Sequence, residues 1–281
     1  MGGMQEMDTT QNRQYKGPVR LVIFDWAGTT VDHGCFAPAS VFIEVFAQHG
    51  IELTMAQARE PMGMDKRDHI EAIMAMPPVA ERWRAEYGRD CTSQDIDALF
   101  GDFKEAEINV ITKYSRPIAG MLKTMAWLRE RNIKIGSTTG YFGEIMEVLM
   151  PYAAEFGYQP DAIVCSTDVP AGRPAPWMVY QNMMTTGVYP AAAVVKVGDT
   201  IADVLEGLNA GVWTVGVTRT GNEVGLTEEQ VAQLAPEKLA TRIETADKRL
   251  REAGADYVVE SVADLPPVIE QIEKGMRGRT S

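Results

Sequence analysis

The sequence predicts an α/β protein, a doubly wound parallel sheet with an inserted all-helical cap, and three observations carry that prediction. Short apolar runs rich in β-branched residues recur along the chain, each followed by loop-forming residues. Helical patterns separate most of these runs, the order expected of βαβ units. The interval between the first and second runs, about 75 residues, reads as helices only and is too long for a structureless loop.

Taken in order, VRLVIFD from Val19 is a buried parallel strand, and WAGTTVDHG after it is loop chemistry. The insertion follows, with helices predicted over 39–49, 54–60, 65–76, 79–87 and 93–112. Pro38 at a helix start, Gly50 past a helix end and a break at Pro77-Pro78 set these boundaries. Four more strands are predicted over 133–137, 161–165, 193–197 and 212–217, with helices over 118–131, 143–156, 177–186 and 200–209. From Thr227 the chain reads as amphipathic helices around a short strand near 257–259. Ligands of open α/β sheets bind beyond the carboxyl ends of the strands, where the insertion emerges, so a helical cap over an active site is expected. The division is then a tail over 1–17 expected to be disordered, a core over 18–35 and 113–281, and a cap over 36–112.

With 27 Lys and Arg against 39 Asp and Glu, the 281-residue chain carries a formal charge of −12, and 45% of it is hydrophobic. A disordered chain, a disulfide miniprotein and a nonspecific nucleic-acid binder are thereby excluded. Cys35, Cys91 and Cys165 lie far apart with no zinc-ligand spacing, and no run of 18 apolar residues occurs. A reduced, cytoplasmic setting away from membranes is the expectation. The acid excess poses a question, since an anionic substrate must be captured against the net field.

Four polar clusters stand just past strand ends: Asp25 in FDWAGTT, Thr139 in GSTTGY, Arg173 in AGRPAP, and Asp199 with Asp203 in VGDTIADV. Each alone reads as a turn or helix cap. Together, at one sheet edge, Asp25 and Asp199 make a hard oxygen site suited to Mg²⁺, and Thr139 and Arg173 supply donors for phosphoryl oxygens. In order and across nearly the whole chain from Val19, these motifs resemble the signature of the haloacid dehalogenase superfamily, whose core is Rossmann-like. The resemblance implies that Asp25 is a nucleophile forming an aspartyl-phosphate. It also implies that Thr139 and Arg173 bind the phosphoryl group, that Asp199 is a Mg²⁺ ligand, and that its neighbour Asp203 serves the metal either directly or through water.

Ala27 departs from the superfamily's phosphatases, which usually carry a general-acid Asp at that position. A methyl group cannot protonate a leaving oxygen, so only the Ala27 carbonyl remains useful, as a metal ligand. The cap offers the complementary clue in PMGMDKRDHIEAIM. With Asp65 as N-cap, Lys66, Ile70 and Ile73 fall on one stripe, and His69 shares roughly that face. The ordinary reading is a lysine snorkelling at a helix end and a structural histidine. The sharper one is a partly desolvated amine available for Schiff-base chemistry, with His69 relaying protons.

An iminium on Lys66 would act as an electron sink for a breaking carbon–phosphorus bond, and its enamine product needs no acid at position 27. FDWAGTTVDHGCF, PMGMDKRDH and DVPAGRPAPWM together are closely similar to the phosphonatase branch of the superfamily. That resemblance implies a homodimeric Mg²⁺ enzyme that splits phosphonoacetaldehyde into acetaldehyde and phosphate in 2-aminoethylphosphonate degradation. In it Asp25, the Ala27 carbonyl and Asp199 bind the metal. Gly63 permits close backbone approach, and Met62, His69, Cys35 and Tyr141 line the closed site. Two other readings are a Mg²⁺-dependent phosphate-monoester phosphatase or phosphomutase of the same superfamily, which Ala27 disfavours, and a catalytically silent binding protein.

Overall fold

The structure, a computed structural model, describes residues 15–278. Six parallel strands form one sheet: β1 (Leu21–Phe24), β2 (Lys134–Thr139), β3 (Ala162–Cys165), β4 (Val194–Gly198), β5 (Trp213–Val217) and β6 (Tyr257–Val259). Their order is β3-β2-β1-β4-β5-β6, so the chain winds outward from β1 in both directions. All six fall on runs marked by the sequence. Phe24 pairs with Ser137 on one side and Val197 on the other, so Asp25 leaves the sheet between the ends of β2 and β4.

Side chains of β1 alternate between two cores, as the strand period requires. Leu21 and Ile23 pack with Val179, Val194 and Ala210, under α8 (Trp177–Thr186) and α9 (Ile201–Ala210). Val22 and Phe24 face the opposite way, toward Leu128 of α6 (Met121–Glu130) and Ile272 of α12 (Leu265–Gly278). Helices α7 (Gly143–Glu155), α10 (Glu228–Gln233) and α11 (Pro236–Glu252) complete this part.

Between β1 and α6 lie only helices: α1 (Phe36–Gln48), α2 (Met55–Arg59), α3 (Lys66–Ala75), α4 (Pro77–Tyr87), α5 (Ser93–Val110) and a 3₁₀ turn over Ile111–Tyr114. The helical insertion is therefore real, but several ends differ from expectation. α1 begins three residues early because the Asp32 carboxylate accepts from the Phe36 and Ala37 N–H groups at 3.0 and 2.9 Å. α4 begins at Pro77, not after the prolines, since the first helical N–H groups need no partner. α6 starts only at Met121, after Gly120 in a left-handed conformation. Of the expected tail, residues 1–14 lie outside the described residues, and the Tyr15 hydroxyl donates to the Pro18 carbonyl at 2.9 Å.

Candidate active site

Asp25 follows β1 directly and is 6% exposed. The loop after it is tight: the Trp26 carbonyl accepts from Thr29, Thr30 and Val31, and Thr30 Oγ1 donates to the Asp25 carbonyl at 2.9 Å. Gly28 adopts φ 85°, and any Cβ there would collide with the Asp199 carboxylate. The glycine thus lets the first acidic motif pack against the last. Asp199, just past β4, accepts from Thr29 Oγ1 at 2.7 Å and from the Asn222 N–H at 2.8 Å.

Asp203 lies in the first turn of α9, where it forms a capping box with Thr200. One oxygen of each of Asp25, Asp199 and Asp203 lies within 4.8 Å of the others, a geometry able to hold a metal ion. Burial raises the Asp25 carboxyl above its ordinary value, and the Asp203 charge adds to this against Arg173 and Lys196. Asp199 is raised further, by burial and then by Asp25 and Asp203. Asp203 goes the other way: Arg173 and Lys196 outweigh its burial and hold it below the usual carboxylate range.

Arg173 is where the structure departs most from expectation. Its donors are all engaged within the protein: 2.8 Å to Asp25, 3.0 Å to Asp203, 2.9 Å to Glu206, and the Thr138 carbonyl and hydroxyl at 2.9 and 2.8 Å. Lys196 joins the same group, 2.6 Å from Asp203 and 3.4 Å from Glu206. Neither Lys196 nor Glu206 was singled out in the sequence. A lysine inside the run AVVKV is a signal that a buried charge needs partners. Glu206, three residues after Asp203 on one helix face, is the corresponding signal for the acid.

A small cavity of about 20 Å³ lies beside Asp25. Ala27, Thr139, Tyr141 and Arg173 line it from the sheet side, and Cys35, Met62, Gly63 and Lys66 complete its wall. Gly63 at φ 93° comes so close to the sheet domain that a Cβ would collide with Thr200 Oγ1. Ser166 Oγ donates to Asp65 at 2.8 Å, a second tie between insertion and sheet. Asp65 also caps α3 by accepting from the Arg67 N–H at 2.9 Å.

Lys66, the first residue of α3, is 3% exposed, with Nζ 5.1 Å from the Tyr141 ring centre and 5.8 Å from that of Phe42. His69 does not line the cavity; it is buried one turn along α3, its ring tilted by 35° against Phe42 at 4.0 Å. Its Nε2 lies 2.9 Å from the Ala58 carbonyl and so carries the proton, leaving Nδ1 without a partner. Burial, and then the nearby Lys66, push its pKa well below the ordinary value, which keeps the ring neutral.

An aspartate at the end of the central strand, a buried acidic cluster at the same sheet edge and a helical insertion above it define a hydrolase of the haloacid dehalogenase type. The family model described as haloacid dehalogenase-like hydrolase matches residues 19–211. A phosphonoacetaldehyde hydrolase of Nitratidesulfovibrio vulgaris is 50% identical over 271 residues, 96% of this chain and 97% of that one. One of Bacillus cytotoxicus is 48% identical over 256 residues, 91% of this chain and 97% of that one. A crystal structure described as a phosphonoacetaldehyde hydrolase-like protein, from Oleispira antarctica, superposes with a TM-score of 0.93 at 38% identity, covering 95% of this chain and 96% of that one. The chain belongs to the haloacid dehalogenase-like hydrolases and, within them, to the phosphonoacetaldehyde hydrolase family. It is an enzyme, and the reading as a silent binding protein falls away. Among the described residues no helix is long and apolar enough to cross a membrane.

Proposed function

We propose that the chain hydrolyses phosphonoacetaldehyde to acetaldehyde and phosphate through a Lys66 Schiff base and an Asp25 aspartyl-phosphate. The observation that carries this reading is that Lys66 and Asp25 line one small cavity, with only a methyl group at Ala27. The names of the 45–50% identical relatives support the substrate.

In this mechanism Lys66 Nζ attacks the aldehyde carbon, and water leaves to give an iminium. His69, whose Nδ1 is free, is assigned the proton relay. Asp25 then attacks phosphorus, and the electrons of the breaking C–P bond pass into the iminium to give an enamine. Protonation at carbon and hydrolysis release acetaldehyde and Lys66, and water cleaves the aspartyl-phosphate. Thr139 orients the phosphonate, and Arg173, held toward Asp25 by Asp203 and Glu206, would join it by exchanging its Asp25 contact for a phosphonate oxygen. Cys35, Met62, Gly63 and Tyr141 exclude bulk water.

The site fits Mg²⁺. Four buried carboxylates, Asp25, Asp199, Asp203 and Glu206, face two buried cations, Arg173 and Lys196, and 4 − 2 leaves two negative charges to be balanced. Asp25, Asp199 and the Ala27 carbonyl would hold the ion. Asp203, whose oxygens already bond Lys196, Arg173 and Thr200, would act through water. When bound, Mg²⁺ withdraws charge from the phosphoryl oxygens. The same reading places the enzyme in the cytoplasm as a homodimer in 2-aminoethylphosphonate degradation, with the cap over 36–112 and the core over 18–35 and 113–281.

A phosphate-monoester phosphatase or phosphomutase would leave its leaving oxygen without an acid at Ala27. Borohydride reduction in the presence of phosphonoacetaldehyde tests the choice: a stable adduct on Lys66 is expected. Turnover without any adduct on that lysine would remove the Schiff base. Lys66→Arg should abolish C–P cleavage in a folded protein, since guanidinium keeps the charge but forms no imine.

A further inference from the structure

Arg59 is the last residue of α2 and is 8% exposed, yet none of its bonds goes to an acid. Nη1 donates to the Gly34 carbonyl at 2.6 Å and to Asn222 Oδ1 at 3.0 Å, while Nε and Nη2 are buried without partners. The guanidinium lies 4.8 Å from the Phe36 ring centre. A buried cation lacking an anion works against folding, and an apolar side chain against Phe36 would avoid that penalty. The bonds that Arg59 does make lead to the acidic cluster. Asn222 returns a bond, its Nδ2 donating to the Arg59 carbonyl at 3.2 Å, so Asn222 holds both the side chain and the backbone of Arg59. The Asn222 N–H in turn donates to Asp199 Oδ2 at 2.8 Å.

This path is stiff at both ends. Gly221, next to Asn222, packs so close to Asp199 that a Cβ would collide with its side chain. The loop after β5 is also pinned to the loop after β1: Thr220 Oγ1 donates to the Gly28 carbonyl at 2.8 Å, and the Gly34 N–H to the Thr220 carbonyl at 2.7 Å. On the cap side, the Arg59 carbonyl accepts from the Met62 N–H at 3.1 Å, in the turn that brings Met62 and Gly63 to the cavity wall.

We infer that Arg59 is a positioning residue for Asp199, acting through Asn222, so that the cap helps to shape the metal site without supplying a ligand. The inference rests on the Mg²⁺ reading of that site above. One Asp199 oxygen is bonded by Thr29 Oγ1 and the other by the Asn222 N–H, which fixes the plane of the carboxylate. Each oxygen keeps a second lone pair for a cation. Loosening Asn222 frees one of these two anchors, and groups that orient a metal ligand carry much of the affinity. Arg59 and Asn222 stand in series, so removing either breaks the same link.

The test is isothermal titration calorimetry of Mg²⁺ into the metal-free, full-length enzyme with no substrate present. Wild type is expected to bind at a saturable site. Asn222→Ala is expected to raise Kd at least ~10-fold with the number of sites unchanged. A partly unfolded population would lower the number of sites and leave Kd as it was, so the two readouts separate positioning from loss of fold. Arg59→Met should give the same rise, and the double variant no further rise, where independent effects would multiply to ~100-fold. If Arg59→Met does not fold, Arg59→Gln takes its place, being too short to make the same bonds. A wild-type Kd in either folded single variant, or a multiplied effect in the double, would overturn the inference and leave the Mg²⁺ site standing. No saturable binding by wild type would overturn both.

Discussion

Lys196 is a buried cation whose partners, Asp203 and Glu206, are equally buried. Lys196→Met removes one charge and leaves carboxylates under-compensated in a dry interior. A loss of about 3–5 kcal/mol is expected by urea denaturation. Asp25→Asn has the opposite profile. The amide cannot form a phosphoaspartyl group, so turnover should fall at least ~10³-fold, while thermal unfolding shows a folded protein. The convergence of Asp25, Thr139, Arg173 and Asp199 was legible in the sequence because Asp25, Thr139 and Asp199 stand at or just past apolar runs and Arg173 in the loop that follows one. What Arg173 does there was not legible, because its partners Thr138, Asp203 and Glu206 come from distant positions and converge only in three dimensions.

The α3 helix and the loop before it set the distance between amine and carboxylate. Asp65 both caps α3 and accepts from Ser166, so Asp65→Ala should cost about 1 kcal/mol in denaturant unfolding and lower kcat as Lys66 loses its fixed start. Gly63→Ala puts a methyl group into Thr200 Oγ1 at a left-handed φ. The cap loop must then stand off from the sheet, and a fall in kcat/KM of at least ~10-fold is expected. The strands and most helices could be read from periodicity and breakers alone. Their ends were less certain where a distant side chain decides them, as the Asp32 carboxylate does for α1.

Across the whole molecule the formal charge is −12, yet the acid excess matters most in one place, the buried cluster at the sheet edge. A divalent cation bound there stabilises only the folded state. Calorimetry should show a higher Tm in Mg²⁺ than in chelator, with a gain of about 2.7 kcal/mol at ~100 times the Kd.

Under the proposed mechanism the cavity, walled by a carboxylate from one part of the chain and an amine from another, would work as a coincidence gate. A phosphate ester can reach Asp25 but brings no aldehyde for Lys66. An ordinary aldehyde can reach Lys66 but brings no phosphorus for Asp25. On that mechanism selectivity would lie in the two halves meeting over one molecule, and each half alone could be permissive.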